Sequence, residues 1–442
     1  MKIPFLKRPN VSILLKLFFI GFLLLILMIP NGMIQSLIYE RSGYESEVKR
    51  EVAATWGSQQ VLVGPLLTIP CTIRNSHEVD GVTKTYTSTK YYHTTPKSLD
   101  VKSQMETHSL RKSIYDVWLY ASDMHLTGEY AIDKIDVANL ETVHWDQAIL
   151  TLGMSDAHGL EGNIDCTLDG NTVEFEPGSL VSNILPRGVS AEVDLKEGKT
   201  FAFDIKCKLR GSESLNFVPI AAESRVEINS DWHSPGFIGA LSPSHREVSN
   251  DGFNVVWESG KFSKDNPDNW FDSAFKFMDY NNGSYGVELV EPVNHYQKNT
   301  RSAKYSFLIL SLTFIVFFFF EIGNGLKVHP IQYLLVGLSL TVFYLLLLSL
   351  TEHIGFDKSY IVAAVATLSS IFMYTRSFFK NGRQSAIFLL ILVLLYSYIF
   401  VLLQLEAYAL LVGSIGVFLI LSVIMYLTRS IDYYQLGKGE ES

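Results

Sequence analysis

Polar and apolar positions along the chain divide it into three textures. From Val11 to Pro30 the chain is almost continuously apolar, with Lys16 the one charge inside the run. From about Gly64 to Gln297 short apolar runs alternate with tight polar turns. From Arg301 onward long apolar stretches return, separated by brief polar links. An apolar run of about 18 residues or more is long enough to cross a bilayer as a helix. In lipid only helices or closed barrels satisfy every backbone donor and acceptor. This pattern predicts six membrane helices: one from Val11 to Pro30 and five between 301 and 428. The expected fold class is a multi-pass α-helical membrane protein with a large β-rich periplasmic domain inserted between helices 1 and 2.

The first helix has a basic flank, Lys2, Lys7 and Arg8, which sets residues 1–10 in the cytoplasm. The stretch Met28-Ile29-Pro30-Asn31-Gly32-Met33 lacks small residues spaced for signal cleavage, so 11–30 reads as a retained anchor. Lys16 is near enough to the end of the run to snorkel to the headgroups. The mixed spacing of apolar and charged residues over 33–56 predicts an amphipathic stalk helix with Gly43 as its weak point.

In the middle region Phe201, Phe203, Ile205, Cys207 and Leu209 alternate with mostly polar neighbours, the period of a half-buried strand. Similar runs lie at 83–92, 114–120, 124–130, 163–168, 226–228 and 253–257. Turn signals such as Asp80-Gly81, Asp169-Gly170-Asn171 and Asn250-Asp251-Gly252 separate them. The expectation is a sandwich-like domain, or two smaller β units, within a periplasmic span of 31–300. The five-helix cluster then occupies 301–428 and a cytoplasmic tail 429–442. Arg376, Lys380 and Arg383 fall inside and Glu352 and Asp357 outside, in keeping with the positive-inside rule. Arg301 and Lys304 fall outside against it.

Composition supports this class: 48% of the 442 residues are hydrophobic and only 18% charged, with mean hydropathy +0.19. With a net charge of −9, nothing suggests a nucleic-acid-binding body. The three cysteines, Cys71, Cys166 and Cys207, leave at least one thiol free within the chain, and their pairing stays open.

Few residues suggest chemistry. Glu352-His353, a carboxylate and an imidazole at a hairpin mouth, is the sharpest candidate, for a proton relay or a headgroup contact. Residues one apart do not share a helix face, which favours local pairing instead. Glu321 marks the cytoplasmic end of its helix, with Lys327 as an alternative partner; Gln332 is a candidate for a hydrogen bond across helices. Trp232 and Trp257 are periplasmic surface or anchor residues, with the core the preferred place for both. Asp231-Trp232-His233 and Ser244-His245-Arg246-Glu247 contain catalytic residue types without a nucleophile motif. No zinc-site spacing and no phosphate-cradling loop occurs, so no cofactor, no metal and no catalytic residue are assigned.

Several segments together resemble a known family. These are His329-Pro330-Ile331-Gln332-Tyr333 running on to Thr351-Glu352-His353-Ile354-Gly355-Phe356, Trp56 with Gln60, and Gly64-Pro65. Ser155-Asp156-Ala157, Gly211-Ser212 with Asn216-Phe217-Val218-Pro219, and Ser230-Asp231-Trp232 also belong to the pattern. In these the chain resembles the CreD family, inner-membrane proteins of Gram-negative bacteria. The resemblance implies a place in the bacterial inner membrane with both termini cytoplasmic, and a role in envelope integrity and stress responses, with no assigned reaction. The expected function is non-enzymatic: the β-rich domain engages an envelope protein or cell-wall component, and membrane lipids surround the helices. A lipid or small-molecule transporter through the helix cluster, or a periplasmic envelope-modifying enzyme, are the alternatives.

Overall fold

The computed structural model of the chain describes residues 9–79, 82–132, 135, 137–197, 200–264, 266–275, 283–291, 295–323, 328–377, 379, 382–405 and 408–429. The chain forms two compact units, one of Met1–Glu45 with Val293–Ser442 and the other of Ser46–Pro292.

The first unit is helical. Helix α1 (Pro9–Trp56) enters it and continues past its boundary, with Pro30 inside. The anchor and the expected stalk are therefore one helix, and Gly43 does not break it. Then follow α2 (His295–Lys304), α3 (Ser306–Gly323), α4 (Pro330–Ile354), α5 (Phe356–Arg376), α6 (Gly382–Gln404) and α7 (Ala409–Thr428). Among the described residues four helices are long and apolar enough to cross a membrane, or five if α2 and α3, bent by 41°, count as one span. The sixth expected span is α7, whose apolar stretch Ala409–Val423 is shorter than the rest. The run expected to begin at Arg301 is in fact broken, because α2 is polar and buries Tyr296, Asn299, Ser302 and Ala303.

Burial along α1 recurs at Ile20, Leu23, Leu27, Asn31, Ile34 and Ile38, a stripe of three- and four-residue steps. Helix α4 comes close to it at Gly337, where an added Cβ would meet the Leu27 side chain and lie 2.9 Å from the Phe314 ring. Small residues permit this kind of backbone approach between helices in lipid. Large apolar side chains such as Phe18, Val365, Leu410 and Phe418 are exposed on the unit's outside, as a lipid-facing surface requires.

The second unit is a β-sandwich. Its strands are β1 (Gln60–Val79), β2 (Val82–Thr94), β3 (Ser98–Lys112), β4 (Tyr115–Ala131), β5 (Leu140–Val143), β6 (Ala148–Met154), β7 (Leu160–Leu168), β8 (Asn171–Val173) and β9 (Glu176–Pro177). They continue as β10 (Gly188–Val193), β11 (Thr200–Ser212), β12 (Ser214–Phe217), β13 (Glu223–Ser230), β14 (Pro235–Gly239), β15 (His245–Ser249), β16 (Gly252–Ser259), β17 (Asn269–Phe271) and β18 (Tyr285–Leu289). One sheet has the order β14-β18-β12-β1-β6-β10-β9, with β2, β5 and β17 joined to it. The other runs β15-β16-β13-β3-β4-β11-β7-β8. A single core cluster draws on both, including Leu67, Leu150 and Leu215 from the first and Leu126, Ile205 and Trp257 from the second. Two tyrosine hydroxyls cross the core: Tyr120 donates to the Ser214 carbonyl (2.8 Å) and Tyr130 to that of Pro65 (2.9 Å).

The alternation over 201–209 is that of β11, buried at each odd position. The runs 114–120 and 124–130 are a single 17-residue strand, β4. Asp169-Gly170 closes the β7–β8 hairpin with both residues at positive φ, the geometry that favours Gly and Asp in two-residue turns. The Asp80-Gly81 turn lies outside the described residues.

Candidate functional site

In the β unit a groove of about 870 Å³ lies between the outermost strands β8 and β9 and their neighbours β7, β10 and β11. The Glu174-Phe175 segment links β8 of one sheet to β9 of the other along this margin. Cys166 and Val173, both buried, are among its lining residues, and Phe175 is half-buried. Strand register pairs Asp204 with Thr167 and Lys206 with Asp165, setting polar side chains along the wall. Glu174 and Glu176 add two further carboxylates. The lining thus carries four carboxylates against Lys206, an environment suited to donors such as hydroxyls or amines.

A second polar cluster lies where α1 ends and β1 begins. Ser58 donates to Asp156 through both N–H (3.0 Å) and hydroxyl (2.9 Å), and His158 Nδ1 is 3.0 Å from the same carboxylate. Burial alone would raise the Asp156 carboxyl, but the hydrogen bonds from Ser58 and His158 outweigh it and hold it below its ordinary value. A hydrolytic triad needs the imidazole between nucleophile and carboxylate. Here the carboxylate is in the middle, and it serves to fasten the joint. Gln60 donates to the carbonyls of Asp156 (3.0 Å) and Arg210 (3.1 Å), and Trp56 to that of Tyr120 (3.2 Å). Segments far apart in sequence, Trp56–Gln60, Ser155–Ala157 and Gly211–Ser212, thereby meet at one place.

His93 is sealed within the unit at 1% exposure, sharing a 2.9 Å hydrogen bond with Thr68. Burial lowers its pKa to about 4 despite Asp272 nearby. Burial pushes the Cys71 thiol up to about 11 and those of Cys166 and Cys207 to about 12. All three cysteines are free and buried. Thiols held so far from ionisation behave as small apolar groups. Among the described residues no group of three or more His, Cys, Asp or Glu is arranged to hold a metal ion. Trp232 and Trp257 are both core residues, at 2% and 0% exposure. Trp232 donates to the Ser234 carbonyl and packs edge-on to Trp118 at 4.8 Å, while Trp257 packs on Tyr285 at 5.6 Å.

In the helical unit Glu321 is more than a boundary residue. It is 4% exposed and forms an ion pair with Lys16 of α1. It also accepts hydrogen bonds from the Val328 N–H (3.0 Å) and the Tyr333 hydroxyl (2.9 Å). Lys16, expected to snorkel, turns inward to this carboxylate and to the Val328 carbonyl (3.3 Å). A buried charge persists only when paired and hydrogen-bonded, and this one is both. The alternative partner Lys327 lies outside the described residues. Either charge alone interrupts an apolar run, and in lipid such charges seek each other; that is the signal the sequence held.

Glu352 and His353 face different ways. Glu352 faces inward, 3.7 Å from Arg41 of α1 and accepting from the Tyr296 hydroxyl at 3.1 Å, whereas His353 is exposed. Gln332 does not bridge helices either: its carbonyl accepts the His329 N–H at 2.9 Å in a capping box at the start of α4. Helix α2 gathers the ends of three helices. Lys298 lies 3.7 Å from Asp357 and donates to Gln404 (3.0 Å), and Arg301 donates to the Leu405 carbonyl (2.8 Å). These contacts give Lys298 and Arg301 partners at the ends of α5 and α6.

The family model for the inner membrane protein CreD matches residues 12–434. This chain belongs to the CreD family. Its sequence is 31% identical to that of the inner membrane protein CreD of Escherichia coli (strain K12) over 414 residues, 93% of this chain and 91% of that one. As a CreD-family chain it is an inner-membrane protein of bacteria. Parts of solved structures overlap it weakly. An M1 zinc metallopeptidase from Deinococcus radiodurans has a TM-score of 0.18 at 6% identity, covering 37% of this chain and 38% of its own. Native yeast LTA4 hydrolase also reaches a TM-score of 0.18, at 7% identity, covering 50% of this chain and 35% of its own. Overlaps this small carry no argument about fold or activity.

Proposed function

We propose that this CreD-family chain is a non-enzymatic protein that supports the integrity of the cell envelope, its β unit binding an envelope component. The observation that carries this reading is the groove at the margin of the two sheets. A concave surface with an apolar floor and a few convergent polar groups is the usual form of a binding site. Its excess of carboxylates favours a ligand rich in hydroxyl or amine donors, whether a cell-wall fragment or a protein segment.

The test fills the groove without touching the core. Thr167, exposed on β7 and part of the lining, is replaced by Trp in the full chain. Dye entry into envelope-stressed cells lacking the gene is then measured with either version supplied. If Thr167→Trp accumulates and inserts normally but leaves the barrier open, the groove is the working surface. Full restoration of the barrier by that variant overturns the proposal.

A second reading, passage of a lipid or small molecule through the helical unit, is favoured by the 41° break between α2 and α3. Discontinuous helices place backbone polar groups inside a membrane protein where they contact solutes.

A further inference from the structure

Both sheets end at the groove of the β unit, and they end differently. Strand β9 contains Pro177, which has no N–H to offer a further strand. Strand β8 is bonded to β7 alone, and its other edge is open. Proteins commonly guard such an edge with lysine, proline or an inward-pointing charge. Asn171, Thr172 and Val173 of β8 include none of these.

The β7–β8 hairpin decides what that edge presents. Asp169 and Gly170 form a two-residue turn, so Leu168 and Asn171 on either side of it exchange backbone hydrogen bonds. Bonded and non-bonded pairs alternate along an antiparallel ladder. Thr167 and Thr172 are therefore a non-bonded pair, and the Thr172 N–H and carbonyl point away from β7. Thr172 is exposed and lines the groove. An outward donor and acceptor on one residue are the groups that an extended peptide backbone matches. The shortness of β8 keeps it from templating a long sheet.

Charge selects among peptides. Alternation along β7 and β8 sets Asp165, Thr167 and Thr172 on the solvent face, with Cys166 and Val173 buried behind them. Glu174 and Glu176, which continue the chain from β8, are exposed as well. Among the described residues Asp165, Glu174 and Glu176 form no ion pair. Asp204, the fourth carboxylate of the lining, is 2.9 Å from His125. Lys206 opposes them. Opposite charges facing each other across strands stabilise a pairing, and like charges weaken it.

We propose that the open edge of β8 takes up a basic peptide in extended form, which adds to the sheet as a further strand. Its Lys or Arg side chains lie against Asp165, Glu174 and Glu176. This names the partner of the groove, and it rests on the reading of that groove as the working surface. The backbone bonds at Thr172 supply affinity, and the carboxylates favour basic segments over acidic ones.

The experiment uses the full chain in phosphatidylcholine nanodiscs. A dye-labelled short peptide of alternating Lys and Val is titrated in and followed by fluorescence anisotropy. A Glu-Val peptide of the same length, a backbone N-methylated Lys-Val peptide and a chitosan oligomer are compared with it. The parent is expected to bind the Lys-Val peptide and to reject the Glu-Val one. Glu174→Gln should weaken binding by about threefold. Thr172→Pro removes the outward N–H, leaves the bonds to β7, and should weaken binding by about tenfold. N-methylation of the peptide should abolish binding to the parent itself, which keeps the test open if Thr172→Pro does not fold. Equal binding of the acidic peptide, or full binding after both Thr172→Pro and N-methylation, overturns the proposal. So does the absence of peptide binding, or uptake of the chitosan oligomer in its place, which would make the groove a site for amino sugars. The two readings fail separately. If no peptide binds and Thr167→Trp still leaves the barrier open, the groove remains the working surface and only the peptide is wrong. If the peptide binds as expected and Thr167→Trp restores the barrier, the edge takes peptide but does not support the envelope.

Discussion

The Lys16–Glu321 pair is the interaction on which the helical unit's packing should depend most sharply. It joins α1 to α3, and Tyr333 extends it to α4. Replacing Glu321 by Leu removes the acceptor of three donors and leaves Lys16, Val328 and Tyr333 without it. Breaking a buried pair from one side costs about 3–5 kcal/mol. The Lys16 side chain is 29% exposed, so Lys16→Met should cost less, about 1–3 kcal/mol, since Val328 and Tyr333 still hold the carboxylate. The double variant Lys16→Met, Glu321→Leu exchanges both charges for apolar groups in an apolar setting. It should be more stable than the sum of the single losses requires, by about 2 kcal/mol. Unfolding of the full chain by sodium dodecyl sulfate in mixed micelles, followed by near-UV circular dichroism, gives the four free energies of the cycle. Additivity within about 0.5 kcal/mol would refute the reasoning, since the two side chains would then be energetically independent.

The sealed His93 makes the β unit acid-sensitive. Its pKa falls from 6.5 to about 4 on folding, so the neutral form is favoured. Its contribution is complete above pH 6.5 and is lost as pH falls toward 4, by about 3 kcal/mol in all. His93→Gln should flatten that part of the pH profile in urea unfolding of the detergent-solubilised chain. Tyr130→Phe removes the donor to the Pro65 carbonyl and should cost about 1–2 kcal/mol in the same assay, with little change in the urea slope. Gly57→Ala sets a Cβ 2.6 Å from the Arg210 carbonyl at a φ of +144°, and should cost about 2 kcal/mol or more; a neutral effect would show that the joint is pliable. Maleimide labelling at pH 7 should leave Cys71, Cys166 and Cys207 unmodified in the native chain and modify all three in denaturant.

What the sequence discloses depends on how far a residue's partners lie along the chain. Strand β11 faces the core with one side only, so its alternation is visible in the letters. Strand β1 is buried on both faces over most of Gln60–Cys71 and contains Pro65 and Pro70, so it presents neither alternation nor an unbroken apolar run. It is missing from the expected strands because its identity as a strand comes from four neighbours. The Lys16–Glu321 pair has the same character: both charges were visible, but their union joins residues 305 apart in sequence. Glu352 and His353 are parted for a local reason, since adjacent residues on a helix point in different directions. The groove has no local sequence signature, because it is formed where the margins of two sheets meet.

The position of β1 bears on how the protein is made. It pairs with β2 directly after it, then with β5 and β6, and with β12 at Ser214–Phe217 in parallel. Its own sheet also needs β18, at Tyr285–Leu289, to cover β12. During synthesis the first strand to emerge thus waits for some of the last, and pairings that span much of a chain form slowly. Helix α1 has been produced by then, and its apolar first half can hold the unfinished chain in the membrane. Newly made chains would remain there with open strand edges until residue 289 appears, and that interval is when they most need a chaperone.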